Sequence, residues 1–231
     1  MKENLDPNIN DIENFTDLTK ASVKRIRQVF VNTDFLIPTA QSLILEKGVE
    51  LSQLKNVYVL PFIVTKEIKL SMFQYKIIHN ILPLKSYLFK VGLSKDDTCP
   101  FCDCERHTTS HFFVDCEIAK VFWNQFRTWW TKISAKSEFT ATPASILYGL
   151  TSDIKNNLLL NHLILIAKQY MYNAFVKEQL RYTFQSFLNF ATQKYDFEIK
   201  IASAKPKREQ QCCNLKWSPF SNFLSKNNTV L

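Results

Sequence analysis

Glycine is nearly absent from this sequence: three residues in 231. Phosphate-cradling loops, tight hairpins and β-barrel corners all draw on glycine. Its scarcity therefore argues against nucleotide-binding folds and closed sheets, and for helices joined by polar loops. Long apolar runs are missing as well. The most apolar stretch, Leu158 to Ala167, contains Asn161 and His162 and is bracketed by Lys155 and Lys168. It is too short to span a bilayer and predicts a buried helix. The opening Met-Lys-Glu-Asn-Leu-Asp-Pro is acidic and polar and gives no secretory signal. These absences predict an intracellular protein of the cytoplasm or nucleus, with no membrane partner and no small-molecule substrate. In that reducing compartment the six cysteines are expected to be thiols or metal ligands, not disulfides.

What is present is apolar and basic. Hydrophobic residues make up 46% and charged residues 22%, a globular and not a disordered balance. Nineteen phenylalanines supply large faces for a core. The formal net charge of +8 favours an acidic partner, of which nucleic acid is the commonest, though it says nothing about fold.

Residues 1–20 show little periodicity and are expected to be a mobile leader. In 21–64 the apolar patches are broken by Pro38, Gly48 and Pro61, so pattern alone does not separate helix from strand. Lys66 to Leu82 predicts a helix ended by Pro83. At helical spacing Ile68, Met72, Tyr75, His79 and Leu82 form one apolar stripe, and Leu70, Ile77 and Ile81 a second. Lys66, Lys69, Lys76 and Asn80 share the edge between them with Phe73. A short helix or turn follows from Leu84 to Leu93, closing on Gly92, and Ile118, Val121, Phe122, Phe126, Trp129 and Ile133 mark an amphipathic helix. Ser134 to Pro143 has the polarity of a linker. The remaining helical segment covers 144–198, with one long helix expected over 154–180 and a shorter one over 183–195. Residues 199–231 are expected to be a basic tail carrying Lys200, Lys205, Lys207, Arg208 and Lys216. The predicted fold is mainly α, with a small structural zinc module between helices, in a unit covering 65–133.

The chemistry lies in Cys99-Pro100-Phe101-Cys102 and His111-Phe112-Phe113-Val114-Asp115-Cys116. A Cys-x2-Cys turn aims backbone N–H groups at its sulfurs, which stabilises thiolate and suits tetrahedral zinc. His111 and Cys116, five apart, can close the site from the two ends of one helical turn. Cys99, Cys102, His111 and Cys116 leave no open coordination position, so a single structural Zn²⁺ per chain is expected. Two residues compete. Cys104 could replace Cys102, and His107 could replace His111 as in a retroviral zinc knuckle, but that pattern needs a cysteine where Phe112 stands. Cys104 and His107 are therefore expected to be spectators, and the distant vicinal pair Cys212-Cys213 has no assigned role. Four ligands within eighteen residues outweigh a chance grouping of buried thiols.

The order Phe73-Gln74-Tyr75-Lys76-Ile77-Ile78-His79-Asn80-Ile81-Leu82-Pro83, Lys90-Val91-Gly92-Leu93, the Cys-x2-Cys, the His-x4-Cys and Val121-Phe122-Trp123 resembles a known family region. It is similar to the zinc-binding region after the polymerase domain of LINE-type (non-LTR) retrotransposon reverse transcriptases. The resemblance covers roughly 65–220, with 73–123 its specific part. It implies RNA or DNA as partner, together with the polymerase portion of a reverse transcriptase. The sequence departs from such polymerases in lacking an aromatic-x-Asp-Asp turn. Its one Asp-Asp, Asp96-Asp97, follows Ser94-Lys95 in a polar loop, and no endonuclease set of His, Asp and Glu is present. The expectation is an accessory fragment and not an enzyme.

Two readings are open. In the first, phosphates are bound by Lys66, Lys69 and Lys76 on the helix edge, by Lys85, Lys90 and Lys95 around the zinc turn, and by Lys205, Lys207 and Arg208 in the tail. Phe101 and Phe112 are the aromatics placed for stacking, although core packing competes for both. In the second, zinc only holds helices together, and Trp123 and Trp130 dock on a polymerase core without touching nucleic acid.

Overall fold

The computed structural model describes residues 38–134, 139–179 and 181–228. The chain divides after Pro38, and all the helices named here belong to the unit Thr39–Leu231. The leader over 1–20, and the part of the 21–64 segment before Pro38, lie outside the described residues.

Among the described residues every regular element is helical, as the glycine scarcity predicts, and the sole strand-like feature is an isolated bridge between Thr98 and Arg106. The helices are α1 (Thr39–Glu46), α2 (Leu54–Val64), α3 (Ile68–Ile78), α4 (Lys85–Lys90), α5 (Glu117–Ile133), α6 (Pro143–Tyr148), α7 (Leu158–Val176), α8 (Phe184–Ser203) and α9 (Lys207–Asn228). α7 is the central rod, touching α2 and α3 on one side and α8 and α9 on the other. α5 packs on α8 and α9 through Phe122, Phe126 and Trp129.

The helix expected over 66–82 is shorter, because Glu67 is extended at one end and Asn80 takes a left-handed φ of 53° at the other. Within the helix only the second apolar stripe, Leu70 and Ile77, is buried. The buried side carries Leu70, Ser71, Phe73, Gln74, Ile77 and Ile78. Ile68 is 76% exposed, Met72 42% and Tyr75 45%. Periodicity finds two apolar arcs but does not say which one faces the core. Here buried polar groups decide it: Gln74 donates Nε2 to the Leu147 carbonyl at 2.8 Å, and Lys168 Nζ donates to Gln74 Oε1 at 2.6 Å and to Leu147 O at 2.7 Å. A buried amine with no anion is tolerated because those two acceptors satisfy it, and burial holds its pKa well below the ordinary lysine value.

Asn161 has a comparable task. Its side chain accepts from Leu150 N at 2.7 Å and donates to Leu150 O at 3.2 Å, bracing the turn at Gly149. Gly149 has φ 84°, and a Cβ there would meet Asn161 Oδ1 at 2.8 Å, so this position requires glycine.

The segment expected to be a basic tail from 199 is not one. α8 continues to Ser203 and α9 follows, with Trp217 and Phe220 fully buried. Three residues apart, these two share a helix face that the lysine count conceals. Burying side chains of this size stabilises the docked helix by roughly 1.5–3 kcal/mol each. Glu198 fixes the register, accepting at 2.7 Å from Trp217 Nε1 and at 2.9 Å from Lys216, whose ammonium also reaches Val64 O at 2.8 Å.

Candidate metal centre

Between α4 and α5 the chain makes two turns that face each other. The first holds the Cys-x2-Cys pair: Cys99 N donates to Glu105 O at 2.8 Å, and Asp103 N to Cys99 O at 2.9 Å, with Asp103 left-handed at φ 54°. Backbone N–H groups of Phe101 and Cys102 point at the Cys99 sulfur. The second is a π-helical turn, His111–Asp115, closed by Cys116 N donating to His111 O at 2.8 Å. An α-helix would rotate two residues five apart well away from each other. The wider π turn brings them back toward one side, so the spacing of His111 and Cys116 matches this geometry.

Together the turns place the ligand atoms of Cys99, Cys102, His111 and Cys116 within 4.8 Å of one another. Three sulfurs and one imidazole nitrogen are a zinc donor set, and a tetrahedron with Zn–S bonds of about 2.3 Å has edges of about 3.8 Å, so a small contraction closes the site. Cys116 is also the residue before α5, and the N–H groups of Ile118 and Ala119 point at its sulfur. Cys99 donates to Cys116, which pulls the Cys116 thiol down and pushes Cys99 up. Helix-terminal N–H groups and a neighbouring donor thus favour thiolate, the form that binds metal.

His111 presents Nε2 to the site, 3.3 Å from Cys102 Sγ, while Nδ1 lies 3.1 Å from Glu105 Oε2. A carboxylate behind a ligating imidazole fixes its tautomer and ring orientation. Glu105 escapes a sequence reading because only the folded turn brings it behind His111; the one available hint is its place between Cys102 and His111. The two competitors stand aside. Cys104 is exposed and donates to Cys102 O at 2.8 Å. His107 is buried, accepts Lys85 N–H through Nδ1 at 3.3 Å, and donates its backbone N–H to Asp97 O at 2.7 Å. Burial is the main reason its pKa falls to about 4. Its work is to cap α4.

Residues 44–123 match the family model for zinc-binding in reverse transcriptase. The match contains all four clustered ligands and helices α2 to α4, and ends inside α5. It speaks to a zinc-binding region associated with reverse transcriptases, an accessory and not a catalytic one. No curated protein and no solved structure matches the chain.

The basic residues fall in three places. Lys69 and Lys76 lie exposed on α3, with Lys66 exposed just before it. Lys90 and Lys95 are exposed around the zinc turn, whereas Lys85 is half-buried and ion-paired with Asp96 at 2.9 Å. Lys205, Lys207 and Arg208 are exposed where α8 turns into α9, a helical corner and not a loose end. Asp96 and Asp97 are both engaged, the second with Arg106 at 2.6 Å. Neither stacking aromatic is placed for it: Phe112 is fully buried, and Phe101 packs edge-on against Tyr182 with ring centroids 5.5 Å apart. Trp123 and Trp130 are buried in the chain's own core, Trp123 donating to Phe113 O at 2.7 Å, so the docking surface expected of them is internal. No helix among the described residues is long and apolar enough to cross a membrane.

Proposed function

We propose that this chain is the zinc-binding, nucleic-acid-binding accessory segment of a LINE-type retrotransposon reverse transcriptase, acting without polymerase or endonuclease carboxylates of its own. The observation that carries the reading is charge placement on the helices that lead into the metal turn, within the matched region. From Leu51 to Lys95 there are seven lysines and a single acid, Glu67, and Glu67 is held by Lys194 at 2.7 Å. A zinc bound by Cys99, Cys102, His111 and Cys116, one per chain, would lock the turn against α4 and α5. The lysines of α3, α4 and the following loop would then stand at fixed positions for phosphate. RNA and DNA are both within reach of such contacts, which carry little sequence information. The polymerase portion of a reverse transcriptase is the protein partner this reading implies.

The test is affinity for RNA and DNA across a salt series, on protein whose zinc content has been measured. Binding weakens log-linearly with salt, and the triple variant Lys66→Gln, Lys69→Gln, Lys76→Gln should flatten the slope by about one unit for each phosphate no longer neutralised. An unchanged slope in the triple variant would remove those lysines from the interface.

A further inference from the structure

The face of α3 that the core leaves outside is not only basic. Around that exposed arc lie Tyr75, Ile68, His79, Met72, Lys76 and Lys69, in helical order, so that one edge is aromatic and aliphatic and the other carries the two ammonium groups. Lys69 and Lys76 are two turns apart, about 10 Å along the axis. The rings are assembled. His79 is in contact with Tyr75, centroids 4.2 Å apart, and with Tyr58 of α2 at 6.0 Å. Tyr75 is the most exposed of the three, and the neighbouring surface of α2 adds Phe62 and Ile63, also exposed.

The geometry points to a base-stacking platform for single-stranded nucleic acid, with Tyr75 as the outer ring, His79 and Tyr58 behind it, and Lys69 and Lys76 holding the backbone alongside. This rests on the nucleic-acid reading above and adds to it which strand form is bound and which ring carries the base. Charge selects the occupant. A protein partner of mixed charge gains little from lysines whose one acidic neighbour in 51–95, Glu67, is already paired, whereas a polyanion with flat, apolar bases matches both edges at once. Lysines beside exposed rings, without base-edge readers, predict tolerance of sequence and preference for unpaired strands, because paired bases hide their faces in the stack.

The experiment uses the full chain, loaded with zinc, and an oligouridine containing one 2-aminopurine, single-stranded and annealed. The wild type should quench the probe and bind the single strand more tightly than the duplex. Tyr75→Phe should keep both properties. Tyr75→Leu, which keeps apolar bulk without a π face, should lose quenching and roughly tenfold in single-strand affinity. Its salt slope should stay that of the wild type, since no phosphate contact is removed. Tyr75 is exposed, so helicity and zinc content should not change in either variant. If the wild type shows no salt-dependent binding to any oligonucleotide, the nucleic-acid reading itself fails, and this platform with it. If the wild type binds and Tyr75→Leu binds and quenches equally, only the platform falls. Tyr75-dependent capture by phosphatidylserine vesicles in place of the oligonucleotide would also overturn it, making the face a lipid contact.

Discussion

The metal turn, Thr98 to Cys116, and the helices α7 to α9 are held by different physics. In the turn Phe112 and Phe113 are buried, but Asp103, Cys104, Glu105 and Arg106 are all exposed, and four ligand atoms and a few backbone bonds define the path of that outer loop. In α7 to α9 whole side chains disappear from solvent, Trp217, Phe220 and Phe187 among them. A few directional bonds hold the outer loop of the first region; collective burial holds the second. The difference teaches where a single substitution acts. Removing one ligand should dissolve the turn, whereas removing one aromatic should weaken the helices without redirecting them.

The largest effect expected is therefore in the turn. Cys116→Ser should abolish stoichiometric zinc binding and lower helicity, because binding free energy in a small site is also folding free energy. Trp217→Ala should lower stability by about 3–5 kcal/mol, as for other large-to-small core changes, while the folded fraction keeps its zinc. Metal analysis and urea unfolding on both variants read the two effects separately. Zinc loss in Trp217→Ala under conditions where it remains folded would break the comparison, since the two regions would then be one cooperative unit.

The same contrast explains what could be read in advance. The clustered residues of the turn were legible because spacing constrains them: Cys-x2-Cys and His-x4-Cys admit few alternatives, and His107 could be set aside because the cysteine a zinc knuckle needs is replaced by Phe112. Helix α5 was legible because its apolar residues recur at helical intervals, and α7 because it is nearly apolar throughout. The orientation of α3 was not, because the deciding groups, Gln74, Leu147 and Lys168, are far apart in sequence and meet only in the fold. Nor was the docking of α9. Trp217 and Phe220 look like a short apolar cluster among lysines until Glu198, on the preceding helix, accepts from Trp217 and Lys216. Burial by partners remote in sequence leaves no local signature.

Lys168 gives the next largest effect and tests the collective side of the comparison. Its folded pKa lies well below the ordinary 10.5 because of burial. Between those two values the unfolded chain binds one more proton than the folded one, so stability rises with pH across that window and levels off above about 10.5. The slope contributed is about 1.4 kcal/mol per pH unit. Lys168→Met has no such proton. Urea midpoints from pH 7 to 9.5 should therefore rise more steeply in the wild type than in the variant, with Gln74 Oε1 left lacking a donor in the variant at every pH. Equal slopes would mean that the amine stays charged in the core.

The smallest effects separate neighbours within the turn. Glu105→Ala removes the carboxylate behind His111 Nδ1, 3.1 Å away, and leaves all four ligands in place. Partners of this kind typically contribute tenfold or more to metal affinity; Glu105 is largely exposed, so about tenfold is expected here. Cys104→Ser, one residue earlier, should change affinity little, because its sulfur only donates to Cys102 O and takes no place in the cluster. Competition with a zinc chelator measures both on one scale. Adjacent residues with opposite outcomes would show that His111 orientation, and not general disturbance of the loop, sets the affinity. A large loss in Cys104→Ser would instead put that sulfur on the metal and force Cys102 out of the ligand set.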